Sequence, residues 1–265
     1  MELVDKVAIV TGAGSGIGRA LAHAIAQAGA RAVVCTDMNG DNAAETARAI
    51  GVRASSVALD VADESAIEQL VADTEARHGA VDLFVSNAGY GKAGGLELPT
   101  AEWQKMMNVH AFAHLSAARA VIPGMIARGG GYLLQTASAA GLLTQIDSGP
   151  YALSKHAAVA FAEWVSINYG ERGIGVSVLC PQAVRTNILG PRAAETSGAP
   201  RRSQAAGDGV LEPEVVATAC IDAIRAERFL VLPHPEVATY FKRKADDYDR
   251  WLGGMRRFRN KLLGG

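Results

Sequence analysis

The sequence predicts an α/β fold in which a doubly wound, seven-stranded parallel sheet carries helices on both faces. Three observations support this: short apolar segments recur along the chain, amphipathic segments separate them, and a glycine-rich loop follows the first apolar segment. Strands covered on both faces have this nearly continuous apolar character. Regular alternation of strand and helix is typical of parallel sheets with right-handed crossovers.

The strands and helices are expected in strict alternation. The predicted strands cover residues 7–10, 31–36, 53–59, 82–86, 132–136, 175–180 and 229–232, and the helical patterns lie at 17–28, 41–50, 63–78, 100–128, 151–171 and 213–227. Gly29 ends the first helix well, and Pro150 suits the first turn of the fifth. We expect one domain over residues 1–265, with a substrate lid at 186–212, because a Gly-, Pro- and Ala-rich connection of that length is typical of binding loops.

The composition excludes several functional classes. The chain has 265 residues, 26 basic and 27 acidic side chains and a net charge of -1, so binding to a nucleic acid is not expected. The three cysteines, Cys35, Cys180 and Cys220, are too scattered for a disulfide framework or a zinc site, and no metal is expected. No apolar run approaches the roughly 20 residues of a membrane span. The amino-terminal apolar stretch runs straight into a glycine loop, unlike a signal peptide, so a cytoplasmic location is predicted.

The glycine loop predicts a dinucleotide site. Residues 11–20 read TGAGSGIGRA, with Gly12, Gly16 and Gly18 between a strand and a helix. Glycine is needed where backbone turns tightly and must approach a phosphate, and the amino terminus of the following helix favours the negative pyrophosphate.

The end of the second strand indicates which dinucleotide is bound. Asp37 ends that strand, 19 residues past Gly18, where a carboxylate can accept hydrogen bonds from ribose hydroxyls and repel a 2′-phosphate. No basic residue follows it closely, and Ser15 rather than a basic residue precedes Gly16. We therefore expect NAD rather than NADP. The alternative is that Asp37 is an ordinary turn or capping residue.

A Y-x-x-x-K pair predicts the position of the catalytic residues. Tyr151 and Lys155 lie four residues apart on a predicted helix and so share a face, where the ammonium can favour the phenolate. Ser138 lies 13 residues upstream, at the end of a predicted strand. A second match, Tyr240–Lys244, lies beyond the last strand and has no serine at that spacing, so we interpret it as a chance match.

Together these motifs resemble the short-chain dehydrogenase/reductase family in its compact, single-domain, Rossmann-like form. The likeness spans about residues 5–235 and is carried by TGAGSGIG at 11–18, Asp60-Val61, NAG at 87–89, Asn108, Ser138 and YALSK at 151–155. The resemblance implies that Ser138 polarises the substrate oxygen and that Tyr151 is the general acid/base. It further implies that Lys155 holds the nicotinamide ribose and lowers the pKa of Tyr151, while Asn108 supports a proton-relay water in a slightly bent helix. The implied cofactor contacts are Gly12, Ser15, Gly16, Ile17, Gly18, Asp37, Asp60, Val61, Asn87, Ala88, Gly89, Tyr151, Lys155, Pro181, Val184 and Thr186.

The family usually has glycine where this chain has Gln182, after the sixth strand. Gln182 either lies near the nicotinamide or faces solvent; Thr186 fits the carboxamide role. The substrate is expected to be apolar, of steroid, lipid or aryl type, because apolar residues are expected to flank the reacting centre: Ala140, Leu142, Leu143, Ile188 and Leu189. Gln182 is a further candidate for the substrate pocket. No basic cluster marks a phosphorylated or carboxylate substrate, although the arginines of the lid keep that point open.

These features predict an NAD-dependent oxidoreductase that interconverts a secondary alcohol and a ketone. The competing hypothesis is a non-catalytic NAD-binding protein, such as a redox-sensing scaffold. The resemblance also implies a homotetramer or dimer, with the helices near 100–128 and 151–171 between subunits.

The carboxyl-terminal segment stands apart from this plan. Residues 242–265 hold eight basic and three acidic residues, a charge of +5, which leaves -6 on residues 1–241. We expect a basic helical tail over 236–265, formed by one helix or a helix pair. Its apolar stripe of Trp251, Met255, Phe258 and Leu262 is expected to pack on its own subunit or on a partner. Contact with a membrane surface is the lesser alternative.

Overall fold

The computed structural model describes residues 1–186 and 207–263, the last of these by its backbone only. Its seven strands are β1 (Val7–Thr11), β2 (Ala32–Asp37), β3 (Ala54–Ala58), β4 (Leu83–Ser86), β5 (Gly131–Thr136), β6 (Ile174–Leu179) and β7 (Leu230–Val231). All neighbours pair in parallel, in the order β3-β2-β1-β4-β5-β6-β7. The predicted seven-stranded doubly wound sheet is therefore confirmed.

The helices follow the predicted alternation, with two differences. They are α1 (Gly16–Gln27), α2 (Gly40–Ile50), α3 (Glu64–His78), α4 (Thr100–Met107), α5 (Ala113–Ala127), α6 (Ala140–Leu143), α7 (Gly149–Tyr169), α8 (Pro213–Arg225), α9 (Glu236–Asp246) and α10 (Tyr248–Leu263). A π-helical turn, Asn108–Phe112, separates α4 from α5, where one helix was expected. The short α6 was not predicted. The tail is a helix pair, one of the two forms expected for it.

The strands alternate their side chains between two cores, one on each face of the sheet. Ile9 packs into one core, and its neighbours Ala8 and Val10 pack into the other, because successive strand residues point to opposite faces. Helices α3, α5 and α7 cover the first face, and α1 and α8 cover the second. Among the described residues, no helix is long and apolar enough to cross a membrane.

The strand order places a crevice at one edge of the sheet. β1 is flanked by β2 and β4, so the chain crosses to opposite sides of β1 after its first and third helices. In open α/β sheets, ligands bind outside the carboxyl ends of the strands at such a reversal. The glycine loop follows β1 at this edge.

Candidate active site

Three strands are joined at their carboxyl ends by side-chain hydrogen bonds. The Thr11 hydroxyl accepts the backbone N–H groups of Asn87 at 2.9 Å and Ala88 at 3.1 Å. The Asn87 amide donates to the Thr11 carbonyl at 3.0 Å and accepts from the Thr136 hydroxyl at 3.2 Å. The backbone after β1, β4 and β5 is therefore held in one arrangement, which forms the floor of the crevice.

The glycines of the loop lie where side chains would not fit. A Cβ at Gly12 would lie 2.8 Å from the Cα of Ala88, and Gly12 has a φ of +65°. A Cβ at Gly18 would lie 2.1 Å from the Gly12 carbonyl oxygen, and one at Gly16 would lie 2.8 Å from a side-chain carbon of Thr186. Ser15 and Ile17 lie partly exposed at the start of α1. This cradle leaves backbone open to a ligand at the helix amino terminus.

Asp37 closes one end of the cradle. Its carboxylate accepts the N–H of Gly14 at 3.0 Å and the N–H of Asn39 at 2.9 Å. A Cβ at Gly14 would lie 2.7 Å from this carboxylate, a role for Gly14 that the motif spacing did not single out. Arg19, near the start of α1, donates to Glu45 at 3.4 Å and to the Gly14 carbonyl at 2.6 Å.

The remaining expected cofactor residues line the same edge. Asp60 is exposed after β3 and accepts the N–H of Ala62 at 2.9 Å, whereas Val61 is buried. Val61 and Ala88 share a small cavity with Thr11. Gly89 follows Ala88, and a Cβ there would lie 3.7 Å from the Lys155 ammonium.

The tyrosine and lysine of α7 lie together at the end of β5. Ser148 starts this helix by accepting the N–H of Tyr151 at 3.2 Å, with Pro150 in the first turn. Lys155 is 3% exposed and donates to the Thr136 carbonyl at 3.0 Å. Its ammonium lies 5.7 Å from the centre of the Tyr151 ring. The predicted shared helix face is thus present.

Ser138 lies on the loop that leaves β5 and faces this pair. Its hydroxyl accepts the N–H of Ala140 at 3.1 Å and lies 3.5 Å from the Pro181 carbonyl. A hydrogen bond between Ser138 and Tyr151 favours the phenolate form of the tyrosine. Serine and tyrosine hydroxyls therefore converge at one point in the crevice.

The electrostatics differ from what the resemblance implies. Burial raises the pKa of Tyr151, and the smaller effect of the Ser138 hydrogen bond lowers it. Burial also lowers the pKa of Lys155 to about 8. We expected the ammonium to lower the pKa of Tyr151, but its described hydrogen bond goes to the Thr136 carbonyl, and removal of water from the phenolate dominates.

Asn108 begins the π-helical turn, where the expected bend lies. Its side chain accepts from the Gln104 amide at 2.8 Å. A π turn shifts the helical register by one residue and re-aims the groups around it.

His110, on the same turn, was not among the predicted site residues. The ring accepts the N–H of Tyr90 at 3.1 Å through Nε2, and Nδ1 lies 2.9 Å from the Ser154 hydroxyl. Ser154 in turn donates to the Tyr151 carbonyl at 3.1 Å, and the imidazole meets the Tyr151 ring edge-on. Burial and the charge of Lys155 hold the pKa of His110 well below its ordinary value. A neutral imidazole therefore braces the catalytic helix against the segment after β4.

The segment after β6 brings further expected residues to the crevice. Thr186 lies against Gly16, and Val184 is buried and pairs with Leu211. Gln182 is partly buried rather than solvent-facing: its N–H donates to His234 at 3.2 Å and its side-chain amide donates to Asp208 at 2.7 Å.

The expected substrate-flanking residues lie mostly on α6. Ala140, Leu142 and Leu143 are buried on this short helix, directly after Ser138. Ile188, Leu189 and most of the expected lid lie outside the described residues. The second tyrosine–lysine match, Tyr240–Lys244, lies on α9, away from the Tyr151–Lys155 pair.

The residues present fit a nicotinamide dinucleotide. The cradle that side chains would fill at Gly12 and Gly18 suits a pyrophosphate, and the acceptor oxygens of Asp37 suit ribose hydroxyls. In the described part of the chain, no group of three or more His, Cys, Asp or Glu side chains could hold a metal ion.

Comparison with known families decides the assignment. The family model described as short chain dehydrogenase matches residues 6–197. The chain is a short-chain dehydrogenase/reductase. This confirms the resemblance drawn from the motifs.

Individual relatives of this dehydrogenase cover most of its length. The 1-deoxy-11-beta-hydroxypentalenate dehydrogenase of Streptomyces avermitilis is 33% identical over 259 residues, covering 95% of this chain and 93% of that protein. The sorbitol dehydrogenase of Cereibacter sphaeroides is 34% identical over 186 residues, covering 69% and 72%. A short-chain dehydrogenase/reductase from Burkholderia phymatum, solved in complex with NAD, has a TM-score of 0.83 and 32% identity, covering 94% and 96%. The enzyme is therefore an alcohol dehydrogenase or ketoreductase that uses a nicotinamide cofactor.

Proposed function

We propose that this enzyme interconverts a secondary alcohol and a ketone with NAD as its cofactor. The observation that carries the proposal is the convergence of Ser138, Tyr151 and Lys155 beside the glycine cradle. When bound, the nicotinamide supplies the acceptor or donor of the hydride.

Side chains of the site perform the other tasks of the reaction. Tyr151 takes the hydroxyl proton during alcohol oxidation and returns it to the oxygen during ketone reduction. Ser138 donates a hydrogen bond to the reacting oxygen and so fixes its position. Lys155 holds the nicotinamide ribose, and Asn108 supports the water through which protons reach solvent. His110 keeps α7 in place and does not touch the reacting atoms.

The preference for NAD rests on Asp37 and its surroundings. Its carboxylate faces the cradle through the Gly14 N–H, and a 2′-phosphate placed there would meet like charge. Arg19 donates to Glu45 and to the Gly14 carbonyl, and no described hydrogen bond or ion pair joins it to Asp37. The relative from Burkholderia phymatum was solved with NAD, which supports the same choice.

Apolar residues support an apolar substrate. Leu143 forms part of a large cavity beside Gln182, together with Trp251, Met255 and Phe258. The Streptomyces avermitilis relative is named for a hydroxypentalenate. We propose that the substrate binds with its carbinol at Tyr151 and its apolar body toward this cavity.

We also propose a homo-oligomer, a tetramer or a dimer. Large apolar side chains remain exposed on the π turn and α7: Phe112 is 47% exposed, Leu153 51%, Trp164 51% and Ile167 80%. Large apolar side chains left exposed on these two elements support a subunit contact there.

A screen of secondary alcohols with a matched pair of variants tests the function. The panel of secondary alcohols ranges from short aliphatic to steroid-sized and hydroxy-fatty compounds. Wild-type enzyme should reduce NAD with at least one of them. Tyr151→Phe should lose about 10²-fold or more of kcat. Tyr169→Phe, at the far end of the same helix, removes one hydroxyl away from the crevice and is the control. Full retention of activity in Tyr151→Phe would overturn the assignment.

A second pair of measurements tests the cofactor. Wild-type kcat/KM should be higher with NAD than with NADP, and Asp37→Ala should narrow the difference by about ten-fold, since it removes the like charge. Faster turnover with NADP, unchanged in Asp37→Ala, would contradict the proposal.

A further inference from the structure

The carboxyl-terminal helices are fixed against the active-site wall by a buried lysine. Lys244 is 7% exposed and donates to the Leu142 carbonyl on α6 at 2.6 Å. Its ammonium lies 5.3 Å from the Tyr248 ring centre and 5.1 Å from that of Trp251. A cation enclosed by a carbonyl and two aromatic faces is a specific contact. The tail is thus attached to the short helix that follows Ser138.

A second contact joins the tail to the segment after β6. The Tyr240 hydroxyl donates to Asp208 at 2.9 Å, and Asp208 also accepts the Gln182 amide at 2.7 Å. Val237, one turn earlier on α9, is fully buried in the core. The tail therefore forms part of the wall around the crevice. Tyr240 and Lys244, the second tyrosine–lysine match, both hold it there.

A cavity of about 910 Å³, open to solvent on one side, lies between the active-site wall and the tail. Leu143 and Gln182 line its inner side, and the apolar stripe of Trp251, Met255 and Phe258 lines its outer side. Of this stripe, Trp251 packs against the core of its own chain, while Met255 and Phe258 face the cavity. Apolar side chains thus lie on both sides of the cavity, and charged and polar side chains complete its lining.

Arginines and aspartates line this cavity in equal number, three of each, so their formal charges balance and the case for an anion rests on which of these groups are free to bind a ligand. Arg243, Arg250 and Arg257 line it, and among the described residues none of the three forms an ion pair. Each guanidinium carries five N–H donors.

Two of the three aspartates that line the cavity already accept hydrogen bonds within the protein. Asp208 accepts hydrogen bonds from Tyr240 and Gln182, and Asp247 accepts the backbone N–H of Arg250 at 3.0 Å. Only Asp246 lines the cavity without a described hydrogen bond. The cavity thus offers guanidinium N–H donors that have no described partner, next to apolar side chains.

We propose that this cavity, built by the carboxyl-terminal helices, is an outer substrate subsite that selects an amphipathic anion, an apolar body carrying a carboxylate or similar group. The inference rests on the proposed function and names its substrate class. It also gives the basic tail a role: Arg243 and Arg250 determine specificity and do not touch the reacting carbon.

The test uses 8-anilino-1-naphthalenesulfonate and its uncharged counterpart N-phenyl-1-naphthylamine, which share an aromatic body and differ in the sulfonate. Both are titrated by fluorescence into the full-length enzyme at saturating NAD, which keeps the probes out of the nucleotide site. Arg243→Gln/Arg250→Gln removes two arginines that line the cavity. Arg256→Gln/Arg259→Gln removes two exposed arginines of α10 that do not line it.

The proposal predicts saturable binding of the sulfonate, with Kd raised about ten-fold in Arg243→Gln/Arg250→Gln, since each exposed charge contact contributes up to a few-fold. Kd for N-phenyl-1-naphthylamine should change less than two-fold, and the control double variant should bind both probes as wild type does. Equal losses in the two double variants, or equal loss of both probes, would overturn it.

Two further outcomes separate the alternatives. Co-sedimentation with phosphatidylglycerol vesicles that depends on Arg243 and Arg250, without saturable binding of the sulfonate, would overturn the proposal in favour of a membrane surface. Binding does not require turnover, so selective binding of the sulfonate without any alcohol oxidation would count against the proposed function while the anion selectivity stood.

Discussion

Lys155 is expected to destabilise the folded enzyme near neutral pH. The side chain is 3% exposed, and burial lowers its pKa from 10.5 to about 8. At 1.36 kcal/mol per pKa unit, this corresponds to roughly 3 kcal/mol. Because the folded pKa lies below the unfolded one, the cost is fully present below about pH 8 and is relieved as pH rises toward 10.5.

The substitution Lys155→Met removes the charge while keeping most of the apolar length. It also removes the hydrogen bond to the Thr136 carbonyl, at a cost of about 1 kcal/mol. The cofactor-free variant should therefore be about 2 kcal/mol more stable than wild type at pH 7. That advantage should vanish, and then reverse, by about pH 10.5, where the neutral amine of the wild type still donates its hydrogen bond.

Urea unfolding of both proteins at a series of pH values measures this difference directly. Lys105→Met, at an exposed position on α4, is the control for losing a lysine. A difference between Lys155→Met and wild type that stays constant from pH 7 to about 10.5 would refute the reasoning.

Three other predictions concern the same site. Gly18→Ala should lower the unfolding free energy by about 2 kcal/mol or more, because its Cβ would lie 2.1 Å from a backbone oxygen. The control is Gly170→Ala, whose Cβ would have nothing within 4 Å and which should change the unfolding free energy by less than about 0.5 kcal/mol. Equal losses of the two variants in urea unfolding would contradict this. His110→Phe should lower the unfolding free energy by about 2–4 kcal/mol in the same assay, because Tyr90 and Ser154 lose their partner, and should lower kcat more than it changes KM. His156→Phe, whose described hydrogen bond goes to Ala152 on its own helix, is the control. Alcohol oxidation should accelerate as pH rises through the alkaline range and ketone reduction as pH falls, since burial raises the pKa of Tyr151; a flat pH–rate profile would count against that base.

The elements that could be predicted from sequence are those with a local signal. The strands are short, nearly continuous apolar runs between helices, so their number and parallel arrangement followed from pattern alone, with boundaries within about two residues. The glycine loop and the tyrosine–lysine pair are likewise local, because each motif is contained in one turn or one helix. Their meeting at one edge follows from the carboxyl ends of β1 and β5 lying at the same end of a parallel sheet.

What escaped prediction depends on contacts between distant residues. The helix α6 has only four residues, too few for a periodic pattern. His110 lies 44 residues from Ser154, and Lys244 lies 102 residues from Leu142, so nothing in their own neighbourhoods marks their roles. Gln182 looked like an isolated exception, and only its contact with Asp208 shows that it belongs to the wall of a cavity.

The central claim, hydride transfer from a carbinol carbon with Tyr151 as the base, is tested most directly by isotope transfer. The most active alcohol of the panel, carrying deuterium at its carbinol carbon, is oxidised with NAD, and the reduced cofactor is analysed by mass spectrometry. The account predicts deuterium at nicotinamide C4 with wild-type enzyme and almost no reduced cofactor with Tyr151→Phe. Reduced cofactor without deuterium, or equal transfer by the variant, would contradict it.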